Sequence, residues 1–287
     1  MTREIDLVVG AGGKVGAALV GALRRHGATI VTTGRAGSAE IDLTFDMDRP
    51  DYAVLPEGVA RAYICAAMPG ADACAAEPEK AFRVNVTTPV ELTRRLAAQG
   101  AFVVNISSTQ IFDGNRPALS PDTQHSPYSE YGRHKSTLED RLRALSGTSG
   151  AIVRISKILS PNDPGILSKW RDELLQGREV SAFRDRAMSP VSLRQAVDAL
   201  VAVAYGRWSG ISQVSAPDEI SYLDAALIVA RIARARPEMV RSVLADDAVG
   251  TVPPRHAGLD CGATEMRLGW RFARSGQVVT EALGGEQ

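Results

Sequence analysis

The sequence predicts a doubly wound α/β fold, a Rossmann-type parallel sheet carrying a smaller C-terminal substrate-binding lobe. Three observations lead there. Short continuous apolar runs alternate with helical stripes through the first 160 residues, a glycine-rich turn follows the first run, and the pattern changes after Ser160. Unbroken apolar runs of this length suit parallel strands, which helices bury on both faces.

The first strand is IDLVVG at 5–10. Val15, Ala18, Leu19, Ala22 and Leu23 then recur at the spacing of an amphipathic helix. ATIVTTG (28–34), ARAYICAA (60–67), AFVVNISS (101–108) and AIVRIS (151–156) are four further strands, with a helix at about 89–99 before AFVVNISS. Pro161, Pro164 and Gly165 break the pattern, dividing the chain into a dinucleotide-binding part at 1–160 and a lobe at 161–287. In the second part helices are expected near 167–176, on the stripe Leu193, Ala196, Val197, Leu200, Val201, Ala204, and at about 222–235, with a strand at 210–216. The turn-rich stretch 113–132 is long enough to have a function of its own.

Bulk properties narrow the class. The formal net charge of the 287 residues is +0, so no cationic field draws the chain to nucleic acid or to an anionic membrane. No segment approaches a membrane span or a signal peptide. Cys65, Cys74 and Cys261 lack metal-site spacing, as do His26, His125, His134 and His256. Free thiols, no metal and a cytoplasmic setting are expected. The arginines at 231, 234, 236 and 241 read as a solvated face.

The clearest motif is VVGAGGKVGAAL, which sets Gly10, Gly13 and Gly16 between the first strand and the first helix. Glycines there permit a tight turn and close approach of the backbone to a pyrophosphate at the helix N-terminus. Cofactor choice is read at the end of the second strand, where an NAD site carries an acid that binds the ribose hydroxyls. Here Thr32-Thr33-Gly34-Arg35 stands, with no acid before Glu40. Arg35 can pair with a 2′-phosphate, and Lys14 adds a second positive charge, so NADPH is favoured over NADH.

Tyr131 and Lys135 lie four apart in SEYGRHKSTLED and share one helix face. The ordered blocks around them include IDLT with Asp42, ICAAMPGADACAAEPEKAFRVNV with Ala66, Ala67 and Asn85, NISSTQIFDG, YGRHK, RISKILSP, FRDRAMSPVSLRQAVDAL and PRHAGLDCGATEMRLGW. Together with the glycine loop these resemble an extended short-chain dehydrogenase/reductase of the dTDP-4-dehydrorhamnose reductase branch, over nearly the whole length. The resemblance implies that Gly10, Gly13, Lys14, Val15, Gly16, Arg35, Asp42, Ala66, Ala67, Asn85 and Lys135 bind the cofactor. It implies that Ser108 completes a catalytic triad with Tyr131 and Lys135, and that Thr109, Gln110 and Lys157 approach the substrate alongside Ser108 and Tyr131. By the same resemblance the lobe is discontinuous, with the strand near 210–216 returning to the main sheet, and the protein is a homodimer.

A phenol is a poor proton-transfer group at neutral pH until a cation stabilises its phenolate, and Lys135 stands one turn away to do so. The Asp-Glu pair that nucleotide-sugar 4,6-dehydratases carry after the triad serine is replaced by Thr109-Gln110, which excludes dehydration. The rhamnose-reductase pattern has Asp-Tyr at those positions and tryptophan at Lys157, so the sugar is left open. The expected function is NADPH-dependent reduction of a keto group on a nucleotide-linked deoxysugar, a 4-keto-6-deoxysugar first. A nucleotide-sugar epimerase and a non-catalytic NADP-binding regulatory subunit are the competing readings.

Overall fold

The computed structural model describes residues 4–35, 37, 41–145, 149–247 and 252–284. They form two compact units. The first comprises the described residues of 1–112, 124–154 and 197–212, the second those of 113–123, 155–196 and 213–287.

The first unit is built on β1 (Ile5–Val9), β2 (Thr29–Gly34), β3 (Leu43–Thr44), β4 (Val59–Ile64), β5 (Phe102–Ser108) and β6 (Gly150–Ile155). The sheet order is β3-β2-β1-β4-β5-β6, followed by the strand Gly210–Val214. β1 pairs in parallel with β2 and β4, and β4 with β5. This is the doubly wound order the alternation predicts, with its strand reversal at β1. β3 is not anticipated by the sequence reading, because two residues are too few to show a period.

The apolar faces of the strands account for the core. Leu7, Val9, Val59, Ala62, Ile64 and Val103 pack with Leu92 and Leu96 from helix α4 (Thr88–Ala98). Helix α1 (Lys14–Arg25) buries Leu19, Ala22 and Leu23 of its predicted stripe. Between β4 and α4 lie α2 (Ala71–Ala76), α3 (Pro78–Phe82) and a π-helical turn at Arg83–Thr87. Such turns are rare and mark places where a helix is held off its regular path. Helix α5 (Glu130–Ala144) follows the long loop.

The second unit has its own core, in which Leu167, Trp170 and Leu174 of α6 (Ile166–Leu175) meet Val229 of α8 (Tyr222–Ile232) and Val278 and Val279 of the last helix. A parallel pair, Val180–Phe183 with Val240–Val243, borders it. Glu219 fastens the segment 256–258, accepting from the backbone N–H groups of Ala257 and Gly258 at 2.7 Å each and lying 2.8 Å from His256 Nδ1. Arg231, Arg234, Arg236 and Arg241 are exposed, as their pattern suggests. The cysteines are free.

Two glycines on α1 separate packing from propensity. A Cβ on Gly16 would stand 2.2 Å from the Gly10 carbonyl oxygen, whereas one on Gly21 would meet only the end of Arg25 at 3.7 Å. Gly16→Ala is expected to destabilise the protein by about 1–3 kcal/mol through overpacking against backbone. Gly21→Ala is expected to be neutral or stabilising by up to about 1 kcal/mol, because alanine is the better helix former. Denaturant unfolding of the two variants checks both.

Candidate active site

The glycine turn leaves β1 with Gly10 at φ +88°, a conformation side chains resist. A Cβ there would also stand 2.6 Å from the Ala66 nitrogen, where the exit of β4 presses on the turn. Gly10 and Gly16 are thus required by the turn's own packing. Gly13 is different. It is exposed, caps α1 without a side-chain hydrogen bond, and the first turn of the helix holds no acid. Amide groups at such an end are left for an anion. This is the observation that fits a dinucleotide, with Lys14 and Val15 half-buried beside it.

Arg35 is exposed just past β2. Asp42 is engaged with the strand itself, its carboxylate accepting from the Thr32 backbone N–H and hydroxyl at 2.8 Å each. Glu40 lies outside the described residues. Ala66 donates its N–H to the Val9 carbonyl at 3.0 Å, and Ala67 is exposed. Asn85 sits in the π-turn, fully buried, and clamps Met68. Its amide oxygen accepts from the Met68 N–H at 2.8 Å and its amide group donates to the Met68 carbonyl at 2.9 Å. Asn85 therefore shapes the strand exit that carries Ala66 and Ala67. The same amide nitrogen lies 3.4 Å from His134 Nδ1, which gives His134 a structural partner.

Local geometry brings together the elements that carry the triad candidates. β5 ends at Ser108, whose hydroxyl caps the turn Thr109–Ile111 by accepting from the Gln110 N–H at 3.2 Å. Ser129 caps α5, accepting from the Gly132 N–H at 3.0 Å and donating to the Gln110 side-chain oxygen at 2.8 Å. A Cβ on Gly132 would lie 2.0 Å from the Gln110 carbonyl oxygen, so the helix start rests directly on the turn. Tyr131, between Ser129 and Gly132 on that start, is thereby carried to the turn that Ser108 begins. Gln110, expected at the substrate, also docks the helix through its side-chain oxygen.

Lys135 is 3 % exposed and donates to the Ile106 carbonyl at 2.8 Å, with its ammonium 5.8 Å from the centre of the Tyr131 ring. Burial lowers its pKa to about 8, against the opposing influence of Glu139 and Cys65. Tyr131 departs from the expectation that the lysine brings its phenolate within reach. Burial, with Cys74 nearby, pushes its pKa above the ordinary phenol value. In this state Tyr131 is a neutral phenol that holds its proton.

Five residues absent from the sequence reading of the site lie beneath it. Glu139, fully buried one turn after Lys135, accepts from Ser107 at 2.5 Å and from Arg154 Nη2 at 2.7 Å, with Arg154 equally buried. His125 Nε2 stands 3.2 Å from the same carboxylate, and Arg143 reaches it at 3.2 Å. Burial acts to raise the Glu139 carboxyl, but the hydrogen bonds from His125, Arg154 and Ser107 and the Arg154 charge outweigh it and hold it at about 2. A signal was present: an arginine inside the apolar run AIVRIS demands a buried partner.

Thr109 is half-buried in the turn after Ser108. Lys157 belongs to the second unit, exposed, with its ammonium 3.4 Å from the Tyr222 hydroxyl and 5.4 Å from that ring's centre. Among the described residues no group of His, Cys, Asp or Glu could hold a metal ion, and no helix is long and apolar enough to cross a membrane.

The parallel sheet with a glycine turn at its strand reversal and the family of its relatives make this an NAD(P)-dependent oxidoreductase, with Ser108, Tyr131 and Lys135 as the candidates for its catalytic set. The profile of the RmlD substrate binding domain family matches residues 5–284, and the chain belongs to that family, the dTDP-4-dehydrorhamnose reductase-like branch of the extended short-chain dehydrogenases/reductases. It is 25 % identical over 276 residues to the probable low-salt glycan biosynthesis reductase Agl14 of Haloferax volcanii, covering 91 % of each chain. It is also 25 % identical over 221 residues to the methionine adenosyltransferase 2 subunit beta of Rattus norvegicus, covering 70 % of this chain and 63 % of that one. In fold it matches the dTDP-4-dehydrorhamnose reductase of Bacillus anthracis in complex with NADP, with a TM-score of 0.80, 17 % identity and coverage of 97 % and 98 %. A further structural neighbour, MoeE5, holds UDP-glucuronic acid and NAD.

The docking of α5 gives an expected outcome. Ser129→Ala removes both the cap and the bond to Gln110 and is expected to lower stability by about 1 kcal/mol, as for other N-caps. Thermal unfolding of the variant beside the parent measures it.

Proposed function

We propose that the protein is an NADPH-dependent reductase of a keto group on a nucleotide-linked deoxysugar, with a 4-keto-6-deoxysugar as the first candidate. The observation that carries this reading is the buried Lys135 ammonium 5.8 Å from the centre of the Tyr131 ring, on a helix start seated against the turn that Ser108 begins. A loaded phenol is what reduction needs. As the carbonyl carbon accepts a hydride, its oxygen gains charge and takes the Tyr131 proton, giving the alcohol. Lys135 stabilises the phenolate left behind, and the Ser108 hydroxyl holds the substrate oxygen during the transfer. The nicotinamide, when bound, supplies the hydride.

Gly10, Gly13, Val15 and Gly16 would hold the pyrophosphate at the start of α1, and Ala66 and Ala67 would lie along the cofactor on the strand exit that Asn85 clamps. Arg35 and Lys14 would pair with a 2′-phosphate, which supports NADPH over NADH. Asp42 supports the same preference, being engaged with Thr32. Thr109 and Lys157 are proposed as substrate contacts, with Lys157 suited to an anionic group. A cytoplasmic homodimer completes the reading, on the resemblance to the family and the free cysteines; light scattering measures the mass of the assembly.

The relationship to the methionine adenosyltransferase subunit supports a second reading, a cofactor-binding subunit that works without turnover. NADPH absorbance with a panel of nucleotide 4-keto-6-deoxysugars separates the two. NADPH oxidation is expected, and Tyr131→Phe is expected to slow it by roughly 10²–10⁴-fold, the usual worth of a general acid. Arg35→Ala is expected to weaken NADPH about ten-fold or more while leaving NADH unchanged, as loss of one charged hydrogen bond to phosphate implies. Tight NADPH binding without turnover on any panel member would favour the subunit reading.

A further inference from the structure

The network beneath the site has no part in the chemistry just described, yet it is built around a charge. Glu139 faces β5 through Ser107, the residue between Ile106, which accepts from Lys135, and Ser108. It faces β6 through Arg154, and the loop before α5 through His125. On its own helix Arg143 lies one turn after it and Lys135 one turn before it. Around Lys135 the other titratable neighbours are Tyr131 and His134 on α5 and Cys65 after β4. Burial pushes the Cys65 thiol up to about 12, so it is neutral. The buried face of α4 carries Thr88, Pro89, Leu92, Thr93 and Leu96, none of which titrates near neutral pH. Glu139 is therefore the negative charge that acts on Lys135 from within the fold.

We infer that Glu139 is a positioning residue that keeps the buried Lys135 ammonium protonated at neutral pH. A lysine in such a site loses its proton readily, because water no longer solvates the charge. Arg154 cannot give up its own proton and would repel Lys135 if it stood alone. Glu139 answers both charges at once. The inference rests on Lys135 serving the reaction proposed above, and it assigns the residue that sets the working pH.

The test reads Lys135 directly. The chain has five lysines, so the side-chain resonances of protein labelled with ¹³C-lysine are few, and Lys135→Met identifies the one that matters. In the unmodified protein without cofactor, Lys135 is expected to titrate near 8. Glu139→Gln is expected to move that midpoint down by about one pH unit or more. Ser107→Ala, which removes the tie to β5 and leaves the charge, is expected to leave it in place. Where Glu139→Gln alone folds poorly, Arg154→Gln is added to remove the guanidinium left without its carboxylate, and the midpoint is expected to fall by less than in Glu139→Gln alone, because the repulsion from Arg154 goes with it. In turnover, the limb that drops as rising pH removes the ammonium moves to lower pH in the same variants. A midpoint that stays fixed in the Glu139 variants overturns the inference, whatever the loss of activity. Because the titration needs neither cofactor nor sugar, a failed NADPH assay leaves it standing, and a fixed midpoint beside full turnover sinks only the inference.

Discussion

Taking an ammonium ion out of water is costly unless the fold returns charge and hydrogen bonds to it. Lys135 is almost fully buried, and the first unit is arranged to hold it there. The Ile106 carbonyl accepts its hydrogen bond from one side, the Tyr131 ring flanks it on another, and the Glu139 carboxylate lies one turn further along the helix. Each of these comes from an element placed for another reason as well. β5 is a core strand of the sheet, and α5 covers it. The position of the lysine thus ties the proposed proton transfer to the docking of one helix on one strand.

That docking follows from small residues and caps. Gly132 lets α5 rest on the Gln110 carbonyl, Ser129 joins the two by its hydroxyl, and Ser107 binds Glu139 below. The Arg154–Glu139 pair beneath is fully buried, and removing one partner of such a pair typically costs about 3–5 kcal/mol. Its carboxyl, held at about 2, keeps its charge across the physiological range and would surrender it only as pH falls far into acid. A network this demanding fixes the register of the site.

Much of this was legible in the chain. Apolar runs located the main strands to within a few residues, and the stripe from Val15 to Leu23 gave α1 its buried face. The glycine spacing marked the turn at the strand reversal, and Tyr131 and Lys135 marked the helix. What the sequence hid depends on contacts between distant segments. The bond from Ser129 to the Gln110 side chain, 19 positions away, has no local pattern to announce it. His125 and Arg154 lie 29 positions apart and meet at one carboxylate. The burial that raises the Tyr131 phenol above its ordinary value is set by the whole packing around it, which the spacing to Lys135 does not show.

The direct test of the central claim is the fate of the hydride. NADPH carrying deuterium at both C4 positions of the nicotinamide is incubated with a nucleotide 4-keto-6-deoxysugar and the product is read by NMR and mass spectrometry. The account requires one deuterium on the carbon that bore the ketone, one NADP formed per alcohol, and transfer slowed by roughly 10²–10⁴-fold in Tyr131→Phe. A product epimerised without net oxidation of the cofactor, or label that never leaves NADPH, would contradict it.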